Sequence, residues 1–414
     1  ESEMGLVDRP YALLVVRRLG PGMRGKAQNT YKLNSLTRET VGILKSRFEN
    51  QSNLTNEILK YKNEHFDEVF PKNSGMRCPF LIGLYYQDEQ FNGVPQYVKR
   101  IIERVDSEPE LEFLLILSII NCYGRIGVTK DIVRKYIPLS VNSDYLEKYP
   151  YVKDAFIGSY DETLQVKLYR EKHNLISREL IKQCSEKLFK TEYQEYLRNV
   201  LEKLIIKLLE INSNGVTLYY KTLFERLFIY KNAIDVDENG YTDVSEFSPL
   251  ILALPSQESK EEVMCMLAEG VKKTVDQISV TNNELYFKMA AHICGHMGRL
   301  YKASTASLKM MENSRKSIEW CEVAESIMKR GGFEDAYIYH MYGTSLSKQC
   351  QDQLNAWKDS PEQCTDAELE QMEGIMEKAL NKFDDTIFAG ELIRGYVSKL
   401  SLLMTYMQFL VRRK

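Results

Sequence analysis

From Tyr193 onward the chain carries only one kind of hydrophobic spacing, the 3.6-residue period of helices that pack along one face. Candidate helices span 191–211, 217–230, 259–277, 283–300, 314–330, 334–353, 366–384 and 388–411. More than half of the 414 residues therefore has to fold as helix against helix. Composition agrees. The chain holds only 11 prolines, and Leu, Glu and Lys are plentiful, so helix should dominate throughout. With 27% charged and 44% hydrophobic residues it reads as an ordinary soluble globular protein, long enough for two to four domains.

Two of these helices look like a repeat. In residues 314–343, SRKSIEWCEVAESIMKRGGFEDAYIYHMYG, Ala324 lies near the end of one helix and Gly343 inside the next. A Gly331-Gly332 turn separates them, and the second helix is expected to begin at Glu334. Small residues at this spacing let neighbouring helices approach closely, as in tetratricopeptide (TPR) repeats. The expectation for 191–414 is a degenerate TPR-like α-solenoid, with 354–365 as an inserted loop.

The N-terminal half is more varied. Thr37 should cap a helix over 37–48, and a second helix over 54–70 should stack Ile58, Tyr61, His65 and Phe66, with His65 solvated or capping. Arg77 to Val105 reads as a helix over 80–90, a break at Asn92-Gly93, and a helix from Pro95. Short helices over 108–120 and 129–137 are separated by Gly124-Arg125-Ile126-Gly127. Between 156 and 169 the period changes to two, with Leu164, Val166 and Leu168 on one side, which predicts a hairpin followed by a helix over 173–188. These elements outline a helical lid over 31–106 and a winged-helix domain over 107–190.

Three stretches suggest chemistry. Tyr11 to Ala27, YALLVVRRLGPGMRGKA, runs from an apolar strand into Gly20-x-x-x-x-Gly25-Lys26, close to a phosphate-binding loop. Ala27 stands where a Ser or Thr should hold Mg²⁺, and Gln28 to Tyr31 is a poor helix start, so only the strand is retained, as the remnant of a core over 1–30. Residues 235–246, DVDENGYTDVSE, match a calcium-loop template through Asp235, Asp237, Asn239, Asp243 and Glu246, with Gly240 at the turn. Thr242 replaces the usual aliphatic residue, no sister loop exists, and a proline follows too soon for a full exiting helix. An acidic surface loop explains the same residues, and no metal is expected. His292 and His296 share one helix face with Cys294 between them, a fragment of a zinc pattern without a fourth ligand. They read as core or surface histidines, as does His340. No nucleophile–base or metalloprotease signature is present, so the chain is not expected to be an enzyme.

The net charge of −3 gives no global attraction to nucleic acid or anionic membrane. The 26 tyrosines are spread over apolar faces rather than interleaved with Lys and Arg, so a base-stacking platform is not favoured. The eight cysteines form no C-x-x-C pair, which predicts reduced thiols and a cytoplasmic protein. The longest apolar run, Phe113 to Ile120, falls far short of the roughly 20 residues that span a bilayer. No signal peptide is visible, no membrane partner is expected, and the early strand reads as an excised piece of something larger.

Taken in order, strand, lid, winged helix and repeats resemble the C-terminal part of a STAND-class P-loop NTPase. The likeness is greatest to the NTPase–TPR group of antiviral sterile-alpha-motif proteins and bacterial antiphage relatives. YALLVVRR is similar to the sensor strand after a Walker B strand, and RCPFLIGLYYQDEQFNGVPQYVKRII to the lid pattern PF-x-x-GL…F-x-G-x-x-x-YV. KLYREKHNLISREL resembles the winged-helix HP-L-I-A stretch, with Asn174 in place of proline. GYTDVSEFSPLILAL resembles the group's FSPL segment, and KSIEWCEVAESIMKRGGFEDAYIYHMYG its TPR pair.

The resemblance implies a nucleotide-controlled switch in innate antiviral or antiphage defence, closed by ADP and opened by ATP, with homo-oligomerisation of the full-length protein. It places Arg17, with Arg18 beside it, near the γ-phosphate as the sensor arginine. Pro79 becomes the lid proline that touches nucleotide, and His173 the histidine that senses the ADP β-phosphate. Walker A and Walker B are missing from this sequence, so ATP or ADP is expected only with the full-length protein and no cofactor with this chain. Protein partners would be bound through the repeats. Two other readings stand beside it: a stand-alone helical-repeat scaffold for protein binding, and a winged-helix nucleic-acid binder.

Overall fold

The helical spacing of the sequence is realised almost throughout the computed structural model, which is mainly α. It describes residues 37–72, 76–137, 144–190, 193–211, 217–229, 247–281, 283–303, 310–357, 363–390 and 392–413. The expected strand and Arg17 and Arg18 lie outside the described residues, as does the 235–246 loop with Asp235, Asp237, Asn239, Asp243 and Glu246. Among the described residues no helix is long and apolar enough to cross a membrane.

The first segment holds α1 (Arg38–Asn50), α2 (Asn56–Glu64), α3 (Phe66–Val69), α4 (Pro79–Gln87) and α5 (Val94–Ile102). Thr37 caps α1 by accepting the Thr40 N–H at 3.1 Å. The single helix expected over 54–70 is divided at His65, whose Nδ1 takes the Tyr61 carbonyl at 2.9 Å and whose ring stacks on Tyr61. That break turns Phe66 and Phe70 into a cluster with Tyr85 and Tyr86. It also corrects the inward residue of α2. Tyr61 is half exposed and Lys62 is buried.

The Lys62 ammonium donates to the carbonyls of Asp88 and Phe91, both at 3.1 Å, and lies over the Tyr85 ring at 4.3 Å. Burial, against the pull of Asp88, lowers its pKa below the ordinary lysine value. It thus pins the α4–α5 turn to α2. Lys62→Ala would take the ammonium from both carbonyls, leaving that of Asp88 only the Phe91 N–H, and would empty the space over Tyr85, a loss of about 1–3 kcal/mol that urea denaturation measures. A loss under roughly 0.5 kcal/mol would show the ammonium dispensable.

Next come α6 (Glu108–Ile119), β1 (Val128–Thr129), α7 (Lys130–Tyr136), α8 (Tyr145–Lys148), β2 (Phe156–Asp161), β3 (Val166–Glu171) and α9 (Asn174–Phe189). The apolar run of α6 is buried on every side, as its lack of a polar face requires. It passes into one π-helical turn, Ile120–Gly124, that ends at Arg125 with φ 50°. The sheet is antiparallel in the order β1-β3-β2. Sequence periodicity anticipated the hairpin but not β1, which is only two residues long. Gly127, at φ 89°, brings β1 onto β3, where a Cβ would lie 2.7 Å from Arg170 Cγ. Strict alternation also fails on β3: Leu168 and Tyr169 are both buried, because the Tyr169 hydroxyl receives the Tyr145 N–H on the second face. Buried Asn121 joins α6 to β3, donating to the Leu117 and Tyr169 carbonyls and accepting the Glu171 N–H.

The rest is helical: α10 (Tyr193–Ile211), α11 (Leu218–Phe224), α12 (Pro249–Leu252), α13 (Gln257–Gln277), α14 (Glu284–Ala303), α15 (Met310–Arg330), α16 (Ala336–Ala356), α17 (Asp366–Phe388) and α18 (Leu392–Arg413). The helix expected over 217–230 changes to a π-helical turn, Glu225–Ile229. From α13 each helix packs on the next, and α14 also touches α16, as α16 touches α18. The closest approaches are made at glycines. A Cβ on Gly298 would lie 2.8 Å from the Ser317 carbonyl, and one on Gly343 2.7 Å from the Phe383 ring.

Candidate functional site

Pro79 and His173, 94 positions apart in the chain, are brought to one place by two helix starts. Pro79 occupies the first turn of α4, where its missing N–H costs nothing. The preceding Cys78 has extended backbone and makes no side-chain cap bond. His173 is the N-cap of α9, and its Nδ1 accepts the Leu175 N–H at 3.2 Å. That bond places the proton of a neutral ring on Nε2, assigned here from the network. Nε2 lies 3.2 Å from Cys78 Sγ. The Phe80 ring stacks on the imidazole at 5.7 Å with an interplanar angle of 7°. The first turns of α4 and α9 therefore share one surface, and helix N-termini favour anions.

Neighbouring contacts tie α9 to α5, the helix that follows α4. Gln183 on α9 donates to the Pro95 carbonyl at 2.9 Å, and Lys187 to the Ile102 carbonyl at 3.3 Å. Arg77 is committed elsewhere, to the Phe70 carbonyl and to Asp67.

No family model, curated protein or solved structure matches this chain. The case for function rests on residues and geometry.

The other sequence candidates are placed as follows. Among the described residues no group of three or more His, Cys, Asp or Glu is arranged to hold a metal ion. His292, Cys294 and His296 face different neighbours: Cys294 Sγ points to the Ala268 carbonyl, and His296 packs on the Tyr337 ring. His340 Nε2 lies 3.1 Å from Ser398 Oγ. All eight cysteines are free.

His292 holds a cluster that periodicity alone did not reveal. Nε2 meets Asp335 at 2.9 Å and Nδ1 meets Glu225 at 3.5 Å, while Lys221 flanks Glu225 at 2.5 Å. Burial would depress the imidazole pKa, but the hydrogen bonds to Asp335 and Glu225 outweigh it and raise the value to about 9. Burial opposes ionisation of both acids, yet the His292 hydrogen bond keeps each below its ordinary range. Asp335 also caps α16 through the N–H groups of Tyr337 and Ile338. The visible signal was an aspartate before an apolar helical run; nothing local tied it to Glu225 and His292.

Proposed function

We propose that this chain is the regulatory section of a STAND-class NTPase switch in innate antiviral or antiphage defence. Residues 31–106 act as lid, 107–190 as winged helix, and the following helices as TPR-like repeats that engage protein partners. In this reading the chain carries no catalytic centre. It reports the nucleotide state of a full-length protein that works in the cytoplasm and assembles into oligomers.

The observation that carries the reading is the meeting of Pro79 and His173 at the first turns of α4 and α9. A thiol is a weak hydrogen-bond partner, so the Nε2–H beside Cys78 exchanges readily for a phosphate oxygen. Lid and winged helix then close together on one nucleotide. The element order and the sheet order β1-β3-β2 support the winged-helix part. The sequential helix packing supports the repeats. Coupling between them is supported by the Tyr219 hydroxyl, which donates to the Gly127 carbonyl at 2.9 Å, and by Arg226, which donates to the Arg125 carbonyl at 3.2 Å.

The nucleic-acid alternative draws less support. Residues 108–190 hold 13 Lys and Arg against 12 Asp and Glu. On the hairpin Lys167 is paired with Asp144 and Arg170 with Asp161. Of the helices before the hairpin, α6 is buried along its apolar run, and α7, α8 and the 3₁₀ turn over 150–154 are each of two turns or fewer, which is short for a groove-reading helix.

The test is nucleotide titration of the full-length protein. His173→Ala is expected to weaken ADP binding about tenfold to a hundredfold, the loss of one hydrogen bond to a charged group. Arg17→Ala is expected to reduce the ATP-dependent gain in oligomer size. Unchanged ADP affinity and assembly in both variants would refute the switch.

A further inference from the structure

Helix α18 carries an apolar face that stands exposed among the described residues. Ile393, Val397, Leu400, Met404, Met407 and Val411 are each between 58% and 75% exposed. Their separations alternate strictly between four and three residues, the 3.5-residue repeat of a helix that lies along another helix. The opposite side of α18 is already used: Leu402 and Phe409 are buried, the latter against Trp357.

We propose that α18 is an interface between two copies of this chain, packed antiparallel along this seam. Three observations select a second copy. The six positions are symmetric about residue 402, so a two-fold axis there sets Ile393 on Val411, Val397 on Met407, and Leu400 on Met404 of the partner. A closed dimer requires a self-complementary patch of this kind. The positions flanking the seam are Arg394, Tyr396, Ser401, Leu403, Gln408 and Leu410, so repeated like charges do not oppose pairing. Two of the four cations of α18 are held within the chain, Lys399 by Asp384 and Arg413 by Asp366, which weakens the pull of an anionic lipid surface. Finally, the seam with Tyr396 exposes on the order of 800 Å², the share one partner contributes to a standard interface and more than most monomers leave uncovered.

The interface does not depend on the nucleotide reading, and the 414-residue chain tests it directly. Sedimentation across micromolar concentrations is expected to show a monomer–dimer equilibrium. Glutamates at two exposed positions, Leu400→Glu with Met404→Glu, should raise the dissociation constant at least about a hundredfold with an unchanged melting temperature. Ile43→Glu, at an exposed apolar site on α1, should leave the dimer intact. Single variants Ile393→Cys and Val411→Cys should form a disulfide only when mixed. The proposal fails if the chain is monomeric throughout, if the double glutamate variant still dimerises, or if each cysteine variant crosslinks alone. It also fails if the monomer floats with phosphatidylcholine–phosphatidylserine vesicles and loses that property in the glutamate variant.

Discussion

Raising the pH from 6 to 9.5 is expected to remove about 2 kcal/mol of stability through His292 alone. Its imidazolium keeps its proton to about 9 in the native state, whereas an ordinary histidine releases it near 6.5. The native state therefore binds the additional proton between those values. The stabilisation is full below about 6.5 and lost as the pH passes about 9. The whole difference is worth about 3 kcal/mol, and the 22% of the side chain still open to water brings it nearer to 2. His292→Gln leaves Glu225 and Asp335 half-buried without their shared cation. At pH 6.5 it should cost about 3–5 kcal/mol, with the smaller part of that range reflecting Lys221 beside Glu225. Urea denaturation of both proteins at pH 6.5 and 9.5 gives the check. The penalty should shrink at the higher pH, where wild-type His292 is neutral too. A penalty equal at both pH values would mean that packing, not charge, holds the cluster.

The second large effect is steric. Gly298 on α14 faces the backbone of α15: a Cβ there would meet the Ser317 carbonyl and Cys321 Sγ, both at 2.8 Å. Carbonyl oxygen in a helix does not rotate aside as a side chain can, so Gly298→Val must separate the two helices. The expected loss is about 3 kcal/mol, in the upper range for overpacked cores. Gly374→Val on α17, where a Cβ meets nothing within 4 Å, pays only the ordinary helix-propensity terms and serves as the control. Equal melting temperatures for the two variants would show that α14 and α15 adjust freely.

How far these results could be read from sequence depended on the range of the interaction. Long amphipathic helices were legible because their signal repeats every turn, and α13 to α18 fall close to the expected spans. Breaks set by a single side chain were not: His65 divides α2 from α3 by competing for the Tyr61 carbonyl. The two-residue β1 is too short to show a period and exists because β3 offers it a partner. Small residues announced close helix contacts in kind but not in place. Ala324 and Gly343 were singled out, whereas Gly298 makes the tighter backbone approach. Pro79 and His173 were legible only through family resemblance, and only the fold shows them to be neighbours. The Glu225–His292–Asp335 cluster draws on three segments far apart in sequence, which no local pattern can join.

The π-helical turn at Glu225–Ile229 reaches in two directions. Its Leu227 packs 3.2 Å from where a Cβ on Gly124 would stand, against the other π-helical turn. Its first residue, Glu225, is held by His292 on α14. Five consecutive residues thus belong to the cores on either side. Opening them breaks the contact with the Ile120–Gly124 turn and the anchor of α16 in a single event. The helices before and after this turn should consequently exchange their amide protons as one cooperative unit rather than in separate steps.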